Sequence, residues 1–584
     1  MERPEKSVRR DRRLVLIALA IGLFLGLGCQ FVPLSATPTK EAAVEPTVTP
    51  LPTAIPMPTH TVVPPTATSA PEEPTATPTP LPAATSEPTT APVGNELRLY
   101  SADPETLDPA IAQDSSSHQY VSLLFSGLVA LDSNLQVVPD LAERWDVDDS
   151  GMVYTFYLYE NATFHNGRPL TAEDVRYSLE RACDPDRGPV QRCQSYLDDI
   201  VGALERSRGE ANSISGVQVV DDYTVQITID APKPYFLSKL TYPTSYVVNR
   251  ENVEDTSRKW TAFPIGSGPF QMYENAVNRM TLVAFDGYPR GRPYLDRVTF
   301  YYRGRAMNMY ERDQIDVIEV TADNIDRVLD PNDPLHDDLR IVPQLDVWYV
   351  GFNTSMPPFD DRNVRRAFAY ATNKRGIADI VYNKTVIPAT GILPPGMPAY
   401  NPDLEGLPYD PDLAAEELLA STYGDASELP PIILTVTGAA TGEMLAEMYK
   451  QVLDVEIEVE VVELQVYLQG LDAQAYQMFF IGWVGDYPDP QNFLDLLFHS
   501  ESAYNHSAYS NPELDALVER ARTEQDPGKR WALYQQAEKL LVEDAVWIPL
   551  SHSGGYYLVK PHVKDLVITG QRTMNLAEVR VERP

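Results

Sequence analysis

I-I-L-T-V-T at 432–437, V-E-I-E-V-E-V at 455–461 and M-F-F-I-G-W at 478–483 are three short runs rich in β-branched and aromatic residues. An amphipathic pattern around 442–453 separates the first two. Alternation of this kind predicts β-α-β crossovers and, with them, a largely parallel sheet. The next block, G-D-Y-P-D-P-Q-N-F-L at 485–494, places Asp486 in the turn at the C-terminal end of the third strand. Open α/β sheets bind ligands at such ends. Asp489 can cap the following helix, with Pro490 at its first position. Upstream, strands are predicted at 96–101, 152–159 and 217–229, the last a hairpin turning at Asp221-Asp222. Thr171 with Asp174 forms a capping box for a helix through about Arg181. Two longer amphipathic helices are predicted at 512–524 and 527–544, and no internal repeat is visible.

The 584 residues include 47 Lys plus Arg against 83 Asp plus Glu, for a formal net charge of -36. Nucleic acid is an unfavourable partner for such a chain, because affinity for phosphate backbones comes from cationic contacts. Residues 2–13 carry Arg3, Lys6, Arg9, Arg10, Arg12 and Arg13, and Leu14 to Gly28 then runs without a charge to Cys29. A basic segment followed by a short apolar run predicts a signal peptide over residues 1–29. Cys29, directly after a small residue, resembles the lipidated Cys of a bacterial lipobox, although Gly26 departs from that motif. Residues 33–94 hold 16 Pro and 15 Thr, so 30–94 is expected to be a disordered stalk. In polyproline geometry, at about 3.1 Å per residue, it could reach about 190 Å. The folded body would then sit outside the cytoplasm, anchored to the outer face of the cell membrane.

Cys183 and Cys193 enclose a polar segment, and in an exported chain a local disulfide is the expected state. There is no phosphate-binding loop, zinc-binding H-E-x-x-H or G-x-S-x-G elbow, so no catalytic residue, metal site or cofactor is expected. His499 and His506 are expected at the surface, and the pairs Asp198-Asp199, Asp337-Asp338 and Asp360-Asp361 as solvated turns and caps. Arg365 and Arg366 are expected on the basic face of a helix whose other face is apolar.

Seven ordered blocks carry a resemblance. They are T-L-D-P-A (106–110) with F-S-G-L-V (125–129), L-A-E-R-W (141–145), F-H-N-G-R-P-L-T-A-E-D-V (164–175), P-I-G-S-G-P-F (264–270), F-N-T-S-M-P-P-F-D-D-R-N-V-R-R-A-F (352–368) and G-W-V-G-D-Y-P-D-P-Q-N-F-L (482–494). Together they resemble the extracellular solute-binding proteins of peptide-type ABC importers, the oligopeptide- and dipeptide-binding family. The resemblance implies an α/β, two-lobed periplasmic-binding-protein-like (type II) fold with an extra α+β domain inserted in the first lobe. Mapped here, lobe I would comprise 95–125, 249–345 and 550–584, the insertion 126–248, and lobe II 346–549, with hinges near 345 and 549. It also implies a monomeric, non-catalytic receptor that passes a peptide or other small solute to an ABC permease and its ATPase.

In peptide binders of this family the Asp of the G-W-x-x-D block pairs with the ligand's α-ammonium, and its Trp lines the pocket. Those positions are Asp486 and Trp483 here, with Tyr349 and Gln113 as further candidates. Some relatives carry a basic residue three positions before the Trp, helping to hold a peptide carboxylate; Phe480 stands there in this chain. An oligosaccharide or another small solute is the alternative ligand within the same fold. A surface enzyme or an adhesin is the alternative outside it.

Overall fold

The computed structural model describes residues 94–583, apart from Gln113 and 188–190. The signal peptide, Cys29 and the stalk lie outside the described residues, as does Gln113.

Strands Ile432–Val436, Ile457–Val461 and Met478–Val484 form as the alternation requires, with helix Ala439–Leu453 crossing between the first two. Their mutual pairings are parallel. The sheet as a whole is not largely parallel. Strand Asp346–Phe352 inserts antiparallel beside Met478–Val484, and strand Trp547–Val559 pairs antiparallel on its other side. Crossover logic holds for these three strands, but the antiparallel strand set beside Met478–Val484 comes from more than a hundred residues away.

Strand Trp547–Val559 joins the two halves of the molecule. Its first part pairs with Asp346–Phe352 and Val386–Pro388, its last part with Leu339–Pro343 and Val317–Glu319. The change of partner falls between Ser553 and Gly554. Gly554 and Gly555 stand at that crossing, and a Cβ on Gly555 would collide with the Gln344 amide. Beyond it the sheet continues through Glu96–Tyr100 and Arg297–Tyr301 to the hairpin of Phe270–Ala276 and Arg279–Ala284. Each half has its own apolar core, one around Leu99, Phe300 and Val559, the other around Phe479, Phe493 and Trp547.

A separate four-stranded antiparallel sheet is built from Ala142–Val147, Val153–Leu158, Thr224–Thr228 and Val217–Asp221. Helix Ala172–Ala182 packs on it, opened by the Thr171–Asp174 capping box. With its own core around Phe156, Val175 and Ile227, this is the α+β domain inserted in the first lobe. It is stitched to the rest by two of the sequence blocks. His165 Nδ1 accepts from the Gly266 N–H at 3.2 Å, and its Nε2 donates to the Gly268 carbonyl at 3.1 Å. Burial holds this imidazole neutral, with its pKa down at about 4. Gly266 and Gly268 serve close approach: a Cβ on Gly268 would come within 2.6 Å of the Leu123 carbonyl.

Several charged residues expected in solvent are buried instead. Asp199 is 1 % exposed and, with Asp198, meets Lys233 and Lys239 in a buried cluster. Arg365 lies inside its helix packing, donating to the Phe359 carbonyl at 2.8 Å and the Asp544 carbonyl at 3.0 Å. His499 is also buried, and His506 is half-buried. In each case the covering partners come from distant sequence, which local polarity could not reveal.

Candidate functional site

A cavity of about 1130 Å³ lies where the two lobes and the inserted domain meet. That is the upper end of ordinary small-ligand sites. Helix Ser115–Leu124 and its cap bring Asp114, His118 and Ser122 to it. The Asp114 carboxylate accepts from the Ser117 N–H at 2.8 Å, which fixes where this helix begins. The inserted domain contributes Arg192, Tyr196 and Tyr242. The end of strand Met478–Val484 and the turn after it contribute Trp483, Gly485 and Asp486.

Asn492 organises that turn. Its Oδ1 accepts from the Asp486 N–H and from the Trp483 indole N–H, both at 3.0 Å. Its Nδ2 donates to Asp486 Oδ2 at 3.3 Å. From the C-terminal segment, Gln571 Nε2 donates to the Gly485 and Asp486 carbonyls at 3.0 and 2.8 Å. The turn is therefore held from two sides while the Asp486 carboxylate faces inward. There it accepts from the Tyr196 hydroxyl at 2.6 Å. Among the described residues no cation lies within 4.0 Å of it; its donors are neutral. Burial lifts the Asp486 carboxyl above the usual carboxylate range, and the Tyr196 hydroxyl, the Arg192 charge and Asn492 offset this only in part.

Aromatic rings wall this end of the cavity. Tyr196 and Tyr242 stack with centroids 3.8 Å apart and planes inclined by 4°. His118 meets Tyr242 edge-on at 4.8 Å, and Trp483 meets Tyr504 edge-on at 5.9 Å. Burial holds the His118 pKa down at about 4, so it brings no positive charge near neutral pH.

Asp486 and Trp483 thus come together at the cavity. Tyr349 and Phe480 do not line it. Tyr349 is 2 % exposed and stacks on Trp547 at 3.4 Å in the second lobe's core. Phe480 stacks on Trp348 at 5.7 Å. Side chains alternate between the faces of a strand. Tyr349 sits on a covered face of Asp346–Phe352, and the half-buried Phe480 stands on Met478–Val484 before that strand reaches the turn. Asp489 does accept from the Gln491 N–H at 2.9 Å, but its main partner is the buried Arg530, which it meets with both oxygens at 2.7 Å. Regular turns start at Gln491, one residue after Pro490.

Sequence reasoning missed Arg192, Tyr196, Tyr242 and His118. Arg192 and Tyr196 flank Cys193, whose disulfide to Cys183 links their helix to the end of Ala172–Ala182. The only sequence signal was the R-C-Q-S-Y run itself, an arginine and a tyrosine four apart beside that cysteine.

The profile of "Bacterial extracellular solute-binding proteins, family 5 Middle" matches residues 136–505. The dipeptide-binding protein DppE of Bacillus subtilis is 30% identical over 486 residues, 80% of this chain and 88% of that protein. Heme-binding protein A of Haemophilus influenzae is 28% identical over 498 residues, 80% of this chain and 88% of that protein. The solved structure of the Escherichia coli murein tripeptide binding protein MppA superposes with a TM-score of 0.72 at 27% identity, covering 84% of this chain and 99% of that one. With the two lobes, the inserted domain and the cavity where they meet in place, this chain belongs to the family 5 bacterial extracellular solute-binding proteins.

Proposed function

We propose that this chain is a membrane-tethered, extracytoplasmic receptor that captures peptides between two closing lobes and delivers them to an ABC permease and its ATPase. Cys29 is the lipid-anchor site, the Pro/Thr stretch the tether, and the monomer the working unit. The lobes hinge where the chain crosses at 343–346 and 553–554, so closure wraps the ligand and removes it from solvent.

One observation carries the reading. Asp486 is a half-buried carboxylate on the cavity wall whose donors, among the described residues, are neutral. A buried carboxylate gains most from a charged, hydrogen-bonding partner, and an α-ammonium offers three donors. Trp483, Tyr196 and Tyr242 supply the apolar wall for the first ligand residue. The dipeptide- and tripeptide-binding names of two relatives support the same reading. The heme-binding relative shows that the family fold carries other cargo as well.

Calorimetric titration with dialanine, N-acetyl-dialanine and maltotriose tests it. Dialanine should bind and its N-acetyl form should bind at least about tenfold more weakly, since acetylation deletes the charge facing Asp486. Binding of maltotriose without dialanine would replace the peptide reading by a sugar-binding one.

A further inference from the structure

We propose that the Arg192 guanidinium receives a carboxylate of the ligand, so that Asp486 and Arg192 together select short zwitterions, dipeptides with both termini free. The inference deepens the peptide reading and rests on it.

Four arginines line the cavity: Arg192, Arg290, Arg292 and Arg580. Two are already paired within the chain. Arg292 lies 2.8 Å from Asp286 and 2.6 Å from Asp296, and Arg580 lies 3.7 Å from Asp565. Arg290 is exposed and sits in the field of Asp140 and Glu578, where Asp140 is already bound by the Tyr288 hydroxyl at 2.6 Å. Its charge answers theirs. Arg192 is half-buried where Arg290 is exposed, although neither forms an ion pair among the described residues. Among the described residues no carboxylate lies within 4.0 Å of it, and its hydrogen bond is a long 3.4 Å contact to the Tyr242 hydroxyl. Its guanidinium sits 6.0 Å from the Tyr196 ring centroid, in the same aromatic wall that surrounds Asp486.

Elsewhere in this protein the buried Arg365 spends its donors on backbone carbonyls, but three other arginines meet carboxylates. Arg181 meets Asp108, Arg530 meets Asp489 and Arg522 meets Asp495, each with two guanidinium nitrogens. Arg192 and Asp486 influence each other's titration yet do not touch. Opposite charges that line one cavity on the same aromatic wall without pairing match a ligand that carries both charges a short distance apart. The ammonium goes to Asp486 and the carboxylate to Arg192, whose planar fork suits a two-oxygen acceptor. This also answers the absence of a basic side chain at position 480. In this chain the anion partner comes from the inserted domain instead.

The test is titration of the full chain and of the Arg192→Gln, Arg192→Lys and Arg290→Gln variants with dialanine and with its C-terminal amide. Wild type should prefer dialanine over the amide by at least about tenfold. Arg192→Gln should abolish that preference: dialanine weakens by about tenfold or more, while the amide binds as tightly as before or tighter, because its ammonium loses a neighbouring cation. A merely structural arginine would weaken both ligands together. Arg192→Lys should keep part of the preference and shows that the fold tolerates a change at this position. Arg290→Gln should leave the preference intact. Three results would overturn the inference: a wild type that binds both ligands equally, an Arg192→Gln variant that keeps the preference, or an Arg290→Gln variant that loses it. A wild type that binds neither dialanine nor its amide refutes the peptide reading itself, and this inference with it.

Discussion

Asp486 and Asp489 stand three residues apart in one turn, and the chain treats them in opposite ways. Asp489 is 6 % exposed and held by both nitrogens of Arg530, which is itself covered by Tyr534, Trp531 and Tyr235. Asp486 is half-buried and opens on the cavity, and among the described residues it receives a tyrosine hydroxyl and an amide rather than a cation. A buried charge with its partner inside the chain is part of the architecture. A charge met by neutral donors on the wall of a cavity is available to something that arrives. The same contrast separates Arg530 from Arg192.

The largest effect should come from breaking the internal pair. Arg530→Ala leaves Asp489 buried without a counter-charge, which should cost about 3–5 kcal/mol of stability. Urea denaturation measures this directly, and a loss no larger than that of an exposed substitution would dissolve the distinction between the two aspartates. Next comes the link that holds Arg192 and Tyr196 in place. Replacing Cys183 and Cys193, whose sequence separation is 10, by serine should cost about 3 kcal/mol in the chain-entropy account. Dialanine affinity should fall with it, because the helix bearing both site residues is freed. Unaltered affinity would mean that the site is positioned by packing alone.

Glu538 sharpens the comparison as a third kind of buried carboxylate. It is 2 % exposed and accepts from the Ile392 and Leu393 N–H groups at 2.7 and 2.8 Å, with no cation within 4.0 Å among the described residues. Burial pushes its pKa up to about 7 from 4.5, against the pull of the two N–H groups. The folded chain therefore holds a proton that the unfolded chain releases. The associated stability is complete below about pH 4.5 and is lost as pH rises through about 7. Across that window wild type should lose up to about 3 kcal/mol relative to Glu538→Gln. Taking the difference between the two proteins removes the opposite slope of His118 and His165, whose pKa values are depressed. Parallel profiles would show that this carboxyl is not set by burial. The smallest effect concerns Asp486. Because burial raises its pKa, protons should begin to compete with the ligand ammonium at higher pH than for an ordinary carboxylate, so dialanine affinity should fall as pH is lowered from 7 toward the carboxylate range. A flat profile over that interval would place Asp486 with the ordinary, internally satisfied carboxylates.

What the sequence revealed follows the range of the interactions involved. The strands at 432–437, 455–461 and 478–483 were legible because alternation and β-branched content are local, and so was the Thr171–Asp174 helix start. Asp486 was legible because a strand end followed by a D-Y-P-D turn is also local. Tyr349 was misplaced because proximity to the site in sequence says nothing about which face of a strand a side chain takes, and Trp547 claims that face. Asp198-Asp199 looked solvated because Lys233 and Lys239 are 34 to 41 positions away. Arg192, Tyr196 and Tyr242 reach the cavity only because a whole domain folds over it, with Tyr196 meeting Asp486 across 290 positions. Parallel order in the sheet failed for the same reason, since Asp346–Phe352 and Trp547–Val559 enter it from far along the chain.

The most direct test sets the two aspartates side by side. Asp486→Asn and Asp489→Asn are compared for unfolding free energy in urea and for dialanine affinity by calorimetry. Asp486→Asn should change stability by less than about 1 kcal/mol, because its donors are neutral. Its affinity should fall by about 2–5 kcal/mol, roughly thirtyfold to several thousandfold. Asp489→Asn should do the reverse, losing about 3 kcal/mol or more of stability through the stranded Arg530 while the folded fraction binds as before. An Asp486→Asn protein that is destabilised like Asp489→Asn yet binds dialanine as tightly as wild type would contradict the account.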